Sequence, residues 1–426
     1  MFPRSLKTPA LIVAALLTLA VLLYAIVRGA TYSNDFKNPY RVARTFWQTG
    51  TLDIKSEPRY PPTIRVLFAP LAALPIGPAA TIWALASLAA LASVPRQLER
   101  LSGVPVRAQA LAWLAVLPSV LDAVVLGQID PVNLFLVTAG LVVARGQRPT
   151  LGAGLIGLAA MIKVLPLVFW GVLVARGRAR AAVVGAVATG VASVVLLVGF
   201  SGWSAGLGSV AEWYTGLGET EGPWGLVVER NSLRENNESL PVVLARTFGA
   251  LDPELTRNAV PLARLPLPAI WGAWMAILAL MAATWLASAR RARRAPPERA
   301  WLGMFALTAA LMLVMTPIAW PHYFMWLVPA TVFLSHRPRV LLGVGVLGLL
   351  GMMIPTLRGI GCHMLLALLL FGVVAHDLYR GVPERGSASV SASASGARGH
   401  GASGLRHLRA IRGRLRARLA VGKRAE

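Results

Sequence analysis

Asp35 opens the stretch DFKNPYRVAR, just behind an apolar run long enough to cross a membrane. Acids are scarce in this chain, with 18 Asp+Glu against 42 Lys+Arg, so a carboxylate at that point asks for an explanation. Arg41 and Arg44 follow it at helical spacing. There they would hold the carboxylate ionised or grip an anionic substrate, and a plain surface acid is the alternative. Lys163 interrupts the apolar run AGLIGLAAMIKVLPLVF. An ammonium at mid-helix costs about 2.5–3.5 kcal/mol on insertion scales, so it requires an anionic partner. It either snorkels from a short helix to the interface or holds a phosphate at the mouth of a cavity. Pro166 frees backbone groups beside it, which are tolerated only where they line protein or water. His322, between Pro321 and Tyr323 at a helix start, is either a satisfied structural histidine or a contact to phosphate or hydroxyl.

The elements that must carry these groups are membrane helices. Of 426 residues, 56% are hydrophobic and 14% charged, and the mean hydropathy is +0.62. Soluble domains hold about 25% charged residues, so the composition points to an all-α polytopic membrane protein. A net charge of +24 invites a nucleic-acid reading, but the basic residues sit in short clusters between apolar runs. There they read as cytoplasmic topology signals, and no soluble module remains to bind nucleic acid. The single cysteine, Cys362, excludes an internal disulfide and a CxxC redox site. The N-terminal run is longer than a signal-peptide core and lacks an A-x-A site, so it reads as an uncleaved first helix near 10–28.

Charge clusters then orient the runs. The Asp35 segment is external. The block 63–94, broken at LPIGP, reads as a short tilted piece and a crossing that ends in cytoplasmic PRQLER. Spans near 108–126 and 131–145 are joined by the external turn GQIDP. The block containing Lys163 lies between two basic clusters, so it must go in and come back as two short arms. A span near 181–200 leads to an irregular external stretch of 201–264, and long structureless loops are usually functional. Further crossings fall near 266–288, 300–316, 323–335, 340–356 and 364–379. The expectation is about twelve transmembrane or re-entrant helices with both termini cytoplasmic. Residues 381–404 are low-complexity and expected to be disordered. Residues 405–426 form either a basic amphipathic helix on anionic inner-leaflet lipid or a solvated charged tail.

With this topology, Asp35, the YPP at Tyr60–Pro62, Gln128, Lys163, NNESL at Asn236–Leu240 and TPIAWPHY at Thr316–Tyr323 all land on the external side. Competing chemistry lacks its motifs. No D-x-D occurs among the six aspartates, and HExxH, Walker and G-x-S-x-G patterns are absent. No metal and no cofactor is called for.

The stretches DFKNPYR, YPPTIRVLFAPLAALPIGPAATIW, GQIDPVNL, AGLIGLAAMIKVLPLVF, NESLPVVLAR and TPIAWPHYF, in that order, resemble glycosyltransferase family 87, the DUF2029 group. The resemblance runs to about residue 380. It implies a GT-C fold and transfer of a sugar, mannose or arabinofuranose, from a polyprenyl-phosphate donor to a lipid or glycan acceptor at the outer face of a bacterial inner membrane. It also implies that Asp35 is the general base, and the transfer is expected to be inverting. The family's K-x-x-P lysine falls on Lys163, its G-Q on Gly127 and Gln128, and its first motif histidine on His322. The leaving phosphate needs positive charge rather than a general acid, and Lys163, Arg65 or His322 would supply it. Arg65 is otherwise a snorkelling interface residue. Tyr60 and Trp320 would stack on sugar or shape the lipid entrance, unless they belong to an interfacial belt. Arg41, Gln128 and Asn237 complete the expected substrate contacts.

Three departures stand out. The usual N-Q-S-L is NESL, with Glu238 where an amide is common; Tyr323 replaces the second histidine; and no second tyrosine follows the loop glycine around GTLDIK. Two rival readings stand beside the transferase, and the first would also want a membrane cavity with buried cations. A lipid-linked sugar flippase or transporter predicts polar groups on both faces and an internal repeat, and neither is seen. A scaffold without chemistry predicts that Asp35 is freely replaceable.

Overall fold

The computed structural model describes residues 16, 19–31, 34–52, 54, 59–219, 233–250 and 261–380. The described chain is helical nearly throughout. Helix α1 covers Leu19–Ala30, followed by α2 (Lys37–Thr49), α3 (Thr63–Ala72), α4 (Ile76–Ser102), α5 (Ala110–Val125), α6 (Asp130–Arg145) and α7 (Pro149–Ile162). After the break at Lys163 come a 3-10 turn, Leu165–Phe169, and α8 (Trp170–Ala175), then α9 (Ala179–Ser201), α10 (Trp203–Glu219) and α11 (Leu240–Phe248). The remainder is α12 (Leu267–Ala292), α13 (Pro297–Met315), a 3-10 turn Pro321–Leu327, α14 (Val328–Phe333), α15 (Pro338–Met353), α16 (Pro355–Gly359) and α17 (Cys362–Arg380).

Among the described residues six helices are long and apolar enough to cross a membrane: α4, the segment Val106–Val125 ending in α5, α9, α12, α13 and α17. With the shorter apolar helices around them, the chain is an all-α polytopic membrane protein. The span in α13 is 78% buried, against 22% in α9 and α12, so α13 is central and the other two are peripheral. Val183, Val187, Val191 and Val195 repeat every fourth residue on α9 and are exposed, which is the pattern of a lipid-facing stripe.

The arm before Lys163, α7, has 14 residues, or about 21 Å, well short of a bilayer core of roughly 30 Å. Such a helix must lean on neighbours. It runs against α6, where a Cβ on Gly152 would lie 2.3 Å from the Gly140 carbonyl oxygen, so only glycine permits this closeness. Because the two helices are consecutive and antiparallel, the first residue of α6, Asp130, meets Lys163 at the end of α7.

Several expectations change. The crossing that ends in PRQLER is α4, which continues through Pro95 to Ser102 and so runs past the expected end of the apolar block at 94. The stretch 201–264 is not structureless: it holds the 17-residue α10 and the 9-residue α11. Proline is absent from α10 and confined to the first turn of α11, where the missing N–H costs no helix bond. The expected span 323–335 is a 3-10 turn and the six-residue α14, both enclosed by protein rather than set against lipid. The readings for 381–404, 405–426 and most of the N-terminal helix before Leu19 lie outside the described residues.

Candidate active site

One cavity of about 580 Å³ opens among the loop ends, and its wall draws on Asp35, Arg59, Tyr60, Asp122, Gln128, Lys163, Asn236, Trp320, His322, Tyr323 and Arg358. Of the nine residues singled out from sequence, Asp35, Tyr60, Gln128, Lys163, Trp320 and His322 line it. Arg41, Arg65 and Asn237 do not.

The Asp35 corner is built from the end of α5. That helix closes in a Schellman turn, in which Gln128 N–H donates to the Ala123 carbonyl at 2.9 Å and Gly127 N–H to Val124 at 3.0 Å. Gly127 takes φ +64°, and a Cβ there would lie 2.8 Å from the Phe36 Cβ, so the position demands glycine twice over. The turn delivers Gln128, whose Nε2 donates to Asp35 Oδ2 at 2.5 Å. Asp35 is fixed from its own side too, because its N–H donates to the Leu126 carbonyl at 2.9 Å. The next residue, Phe36, is buried against Trp83, and the Trp83 indole N–H donates to the Gly127 carbonyl at 3.0 Å. Asp35 is thus a half-buried carboxylate held by a neutral amide, which fixes it without cancelling its charge.

The cationic side is more fully paired. Lys163 Nζ lies 2.8 Å from Asp130 Oδ2 and 3.8 Å from the centre of the Tyr323 ring. The other Asp130 oxygen accepts from the Trp326 indole at 2.9 Å, and Trp326 stacks on Phe169. The anionic partner that Lys163 requires is therefore Asp130, supplied by the turn GQIDP. Thr63, next to YPP, donates its hydroxyl to the Met161 carbonyl and ties the start of α3 to the last turn of α7. His322 is buried at 3% exposure, with Nδ1 3.6 Å from Asp122 Oδ2. Its Nε2 is buried and has no hydrogen-bond partner.

Three expected residues stand elsewhere. The buried face of α2 comprises Pro39, Tyr40, Val42, Ala43 and Phe46, which leaves Arg41 exposed on the other side. Arg44 does not hold Asp35 either: it donates to the Ala72 and Ala73 carbonyls at the end of α3. Arg65 does not snorkel; it is fully buried and its Nη2 reaches the Ile54 carbonyl at 3.4 Å. Asn237 is also fully buried, and its Oδ1 accepts the N–H groups of Ser239 and Ala319 at 3.1 and 3.0 Å. It fastens the loop to the Thr316–Tyr323 segment, and its neighbour Asn236 faces the cavity instead. Close by, Arg246 donates to the Arg234 carbonyl, and burial lowers its guanidinium to about 10 despite the opposing pull of Glu238 and Glu235.

Asp122 and Arg358 are cavity residues that the sequence reading passed over, and Asn236, placed on the external side as part of NNESL, joins them at the wall. Asp122 carried one usable signal, a carboxylate inside the apolar run of α5. Among the described residues no cluster of three or more His, Cys, Asp or Glu is arranged to hold a metal.

The chain matches the model for glycosyltransferase family 87 over residues 59–317. It is 30% identical over 372 residues, 83% of this chain and 81% of the relative, to a polyprenol-phosphate-mannose-dependent alpha-(1-2)-phosphatidylinositol pentamannoside mannosyltransferase of Mycolicibacterium smegmatis. A protein of the same description from Mycobacterium tuberculosis is 29% identical over 313 residues, 71% of this chain and 63% of that relative. No solved structure matches the chain.

Proposed function

The chain belongs to glycosyltransferase family 87, and from that premise we propose that it transfers mannose from a polyprenyl phosphate to a glycolipid. The acceptor hydroxyl attacks the anomeric carbon while Asp35 takes its proton. The bond from that carbon to the phosphate oxygen breaks, and the polyprenyl phosphate leaves with the electron pair. Attack opposite the leaving group inverts the anomeric centre. The phosphate is stable enough to depart unprotonated, so the protein must supply a base on one side and positive charge on the other.

The observation that carries this reading is the Asp35–Gln128 contact at the wall of a cavity that also holds Lys163 and His322. A base must stay ionised and must point at one place, and a neutral amide donor does both. Lys163 contributes through a field that Asp130 partly cancels, whereas His322 offers a buried Nε2 that no protein group occupies. We place the cavity on the extracytoplasmic side of a bacterial inner membrane, with both termini cytoplasmic, because the basic clusters between spans argue for that orientation.

The test is Asp35→Asn in purified protein, with radiolabelled polyprenyl-phosphate-mannose and a mannosylated phosphoinositide acceptor. Removing a general base lowers turnover by about 10²–10⁴-fold. Wild-type rates in a variant of unchanged melting temperature would remove Asp35 from the mechanism.

A further inference from the structure

Arg358 lies on α16, beyond the segment that the family model matches. Its backbone is fixed on both sides: its N–H donates to Ile354 at 3.2 Å, and its carbonyl accepts from Gly361 N–H at 2.8 Å and from Arg246 Nη2 at 3.4 Å. The guanidinium lines the cavity, and Nη1 donates to Asn236 Oδ1 at 2.8 Å. Its Nε is buried without a hydrogen-bond partner.

Elsewhere on this wall Lys163 faces Asp130 and His322 faces Asp122. Arg358 faces a neutral amide, and no carboxylate among the described residues pairs with it. An amide partner aims the planar fork of N–H donors and leaves its charge intact. A fork of that kind fits two oxygens of a phosphate group.

We propose that Arg358, oriented by Asn236, binds a phosphate group of a lipid substrate in the cavity. The inference rests on the transferase reading above. Two lipids carry the required chemistry: a polyprenyl donor, as a monoester once the sugar has left, and a phospholipid acceptor, as a diester headgroup.

The experiment measures binding by the purified full chain in detergent, using radiolabelled farnesyl phosphate, radiolabelled phosphatidylinositol and, as an uncharged control, farnesol. Arg358→Gln is expected to weaken at least one phosphate lipid tenfold or more while farnesol binding stays within twofold. Arg358→Lys, which keeps the charge but loses the fork, is expected to fall between. Asn236→Asp keeps the guanidinium in place and cancels its charge, so it serves where Arg358→Gln does not fold, with the same tenfold loss expected. Loss confined to farnesyl phosphate assigns the donor, and loss confined to phosphatidylinositol assigns the acceptor.

Wild-type binding of both phosphate lipids by Arg358→Gln or by Asn236→Asp overturns the proposal. So does failure of the wild type to bind either lipid. A wild type that binds them through Arg358 yet moves no sugar sinks the transferase reading and leaves the phosphate site standing.

Discussion

Both carboxylate oxygens of Glu238 engage His363: Oε2 accepts its backbone N–H at 2.9 Å, and Oε1 lies 2.7 Å from Nδ1. The other ring nitrogen, Nε2, donates to the Gly348 carbonyl at 3.0 Å. His363 is the second residue of α17, so Glu238 also satisfies an N–H at the start of that helix, where negative charge is favoured. This partner gives the glutamate of NESL a structural role in seating the start of α17.

Glu238→Gln therefore changes little. Its carbonyl accepts the same N–H, and its amide donates to Nδ1 of a neutral His363. The expected loss is within about 1 kcal/mol. Glu238→Leu strands the backbone N–H and the ring nitrogen in a buried place, with a loss of about 3 kcal/mol or more. Thermal unfolding of the two variants in detergent separates them, and equal midpoints would contradict the bidentate role.

Lys163 and Asp130 behave as one unit. Lys163→Met leaves the carboxylate buried with only the Trp326 indole, and loss of one partner of such a pair costs about 3–5 kcal/mol. Lys163→Met with Asp130→Asn removes both charges and is expected to regain much of that stability without regaining transfer. A double-mutant cycle on melting temperature measures the coupling. Additive losses would show that the two side chains do not depend on each other.

Gln128 is expected to act on turnover through Asp35. A hydrogen bond to a charged group contributes about 1.5–3 kcal/mol. Gln128→Leu should then lower kcat by about 10- to 100-fold with the donor KM near wild type. Gln128→Glu sets a second carboxylate against the first and should be slower still. Steady-state rates of the two variants decide this, and a change in KM alone would mean that Gln128 binds substrate rather than holding the base.

Much of the fold is legible in the sequence because lipid imposes a strict rule. Every backbone polar group must be satisfied within a helix, so apolar runs and their breaks map onto elements directly. The break at Lys163–Pro166 is the clearest instance, since an ammonium and an imino ring together cannot continue a helix in hydrocarbon. The site is only partly legible. Gly127–Gln128 announces itself through local turn chemistry, but the pairing of Lys163 with Asp130 depends on how α6 and α7 lie together. Asn236 stands inside the turn that the Asn237 N–H closes on the Arg234 carbonyl, and no composition records which of the two amides that turn sends to the cavity. Arg41 looks as promising as Arg44 beside Asp35 until the buried face of α2 fixes which way each points.

The short arms on either side of Lys163 carry a consequence for biogenesis. Neither α7 nor the segment after it satisfies the length that a translocon reads as a membrane span, and the tip between them bears a charge. Asp130 is already synthesised when that hairpin emerges, and can neutralise it at once. Tyr323 and Trp326, which shield the pair, are made much later. The seat of the hairpin is therefore complete only once residues 323–326 are in place over the pair.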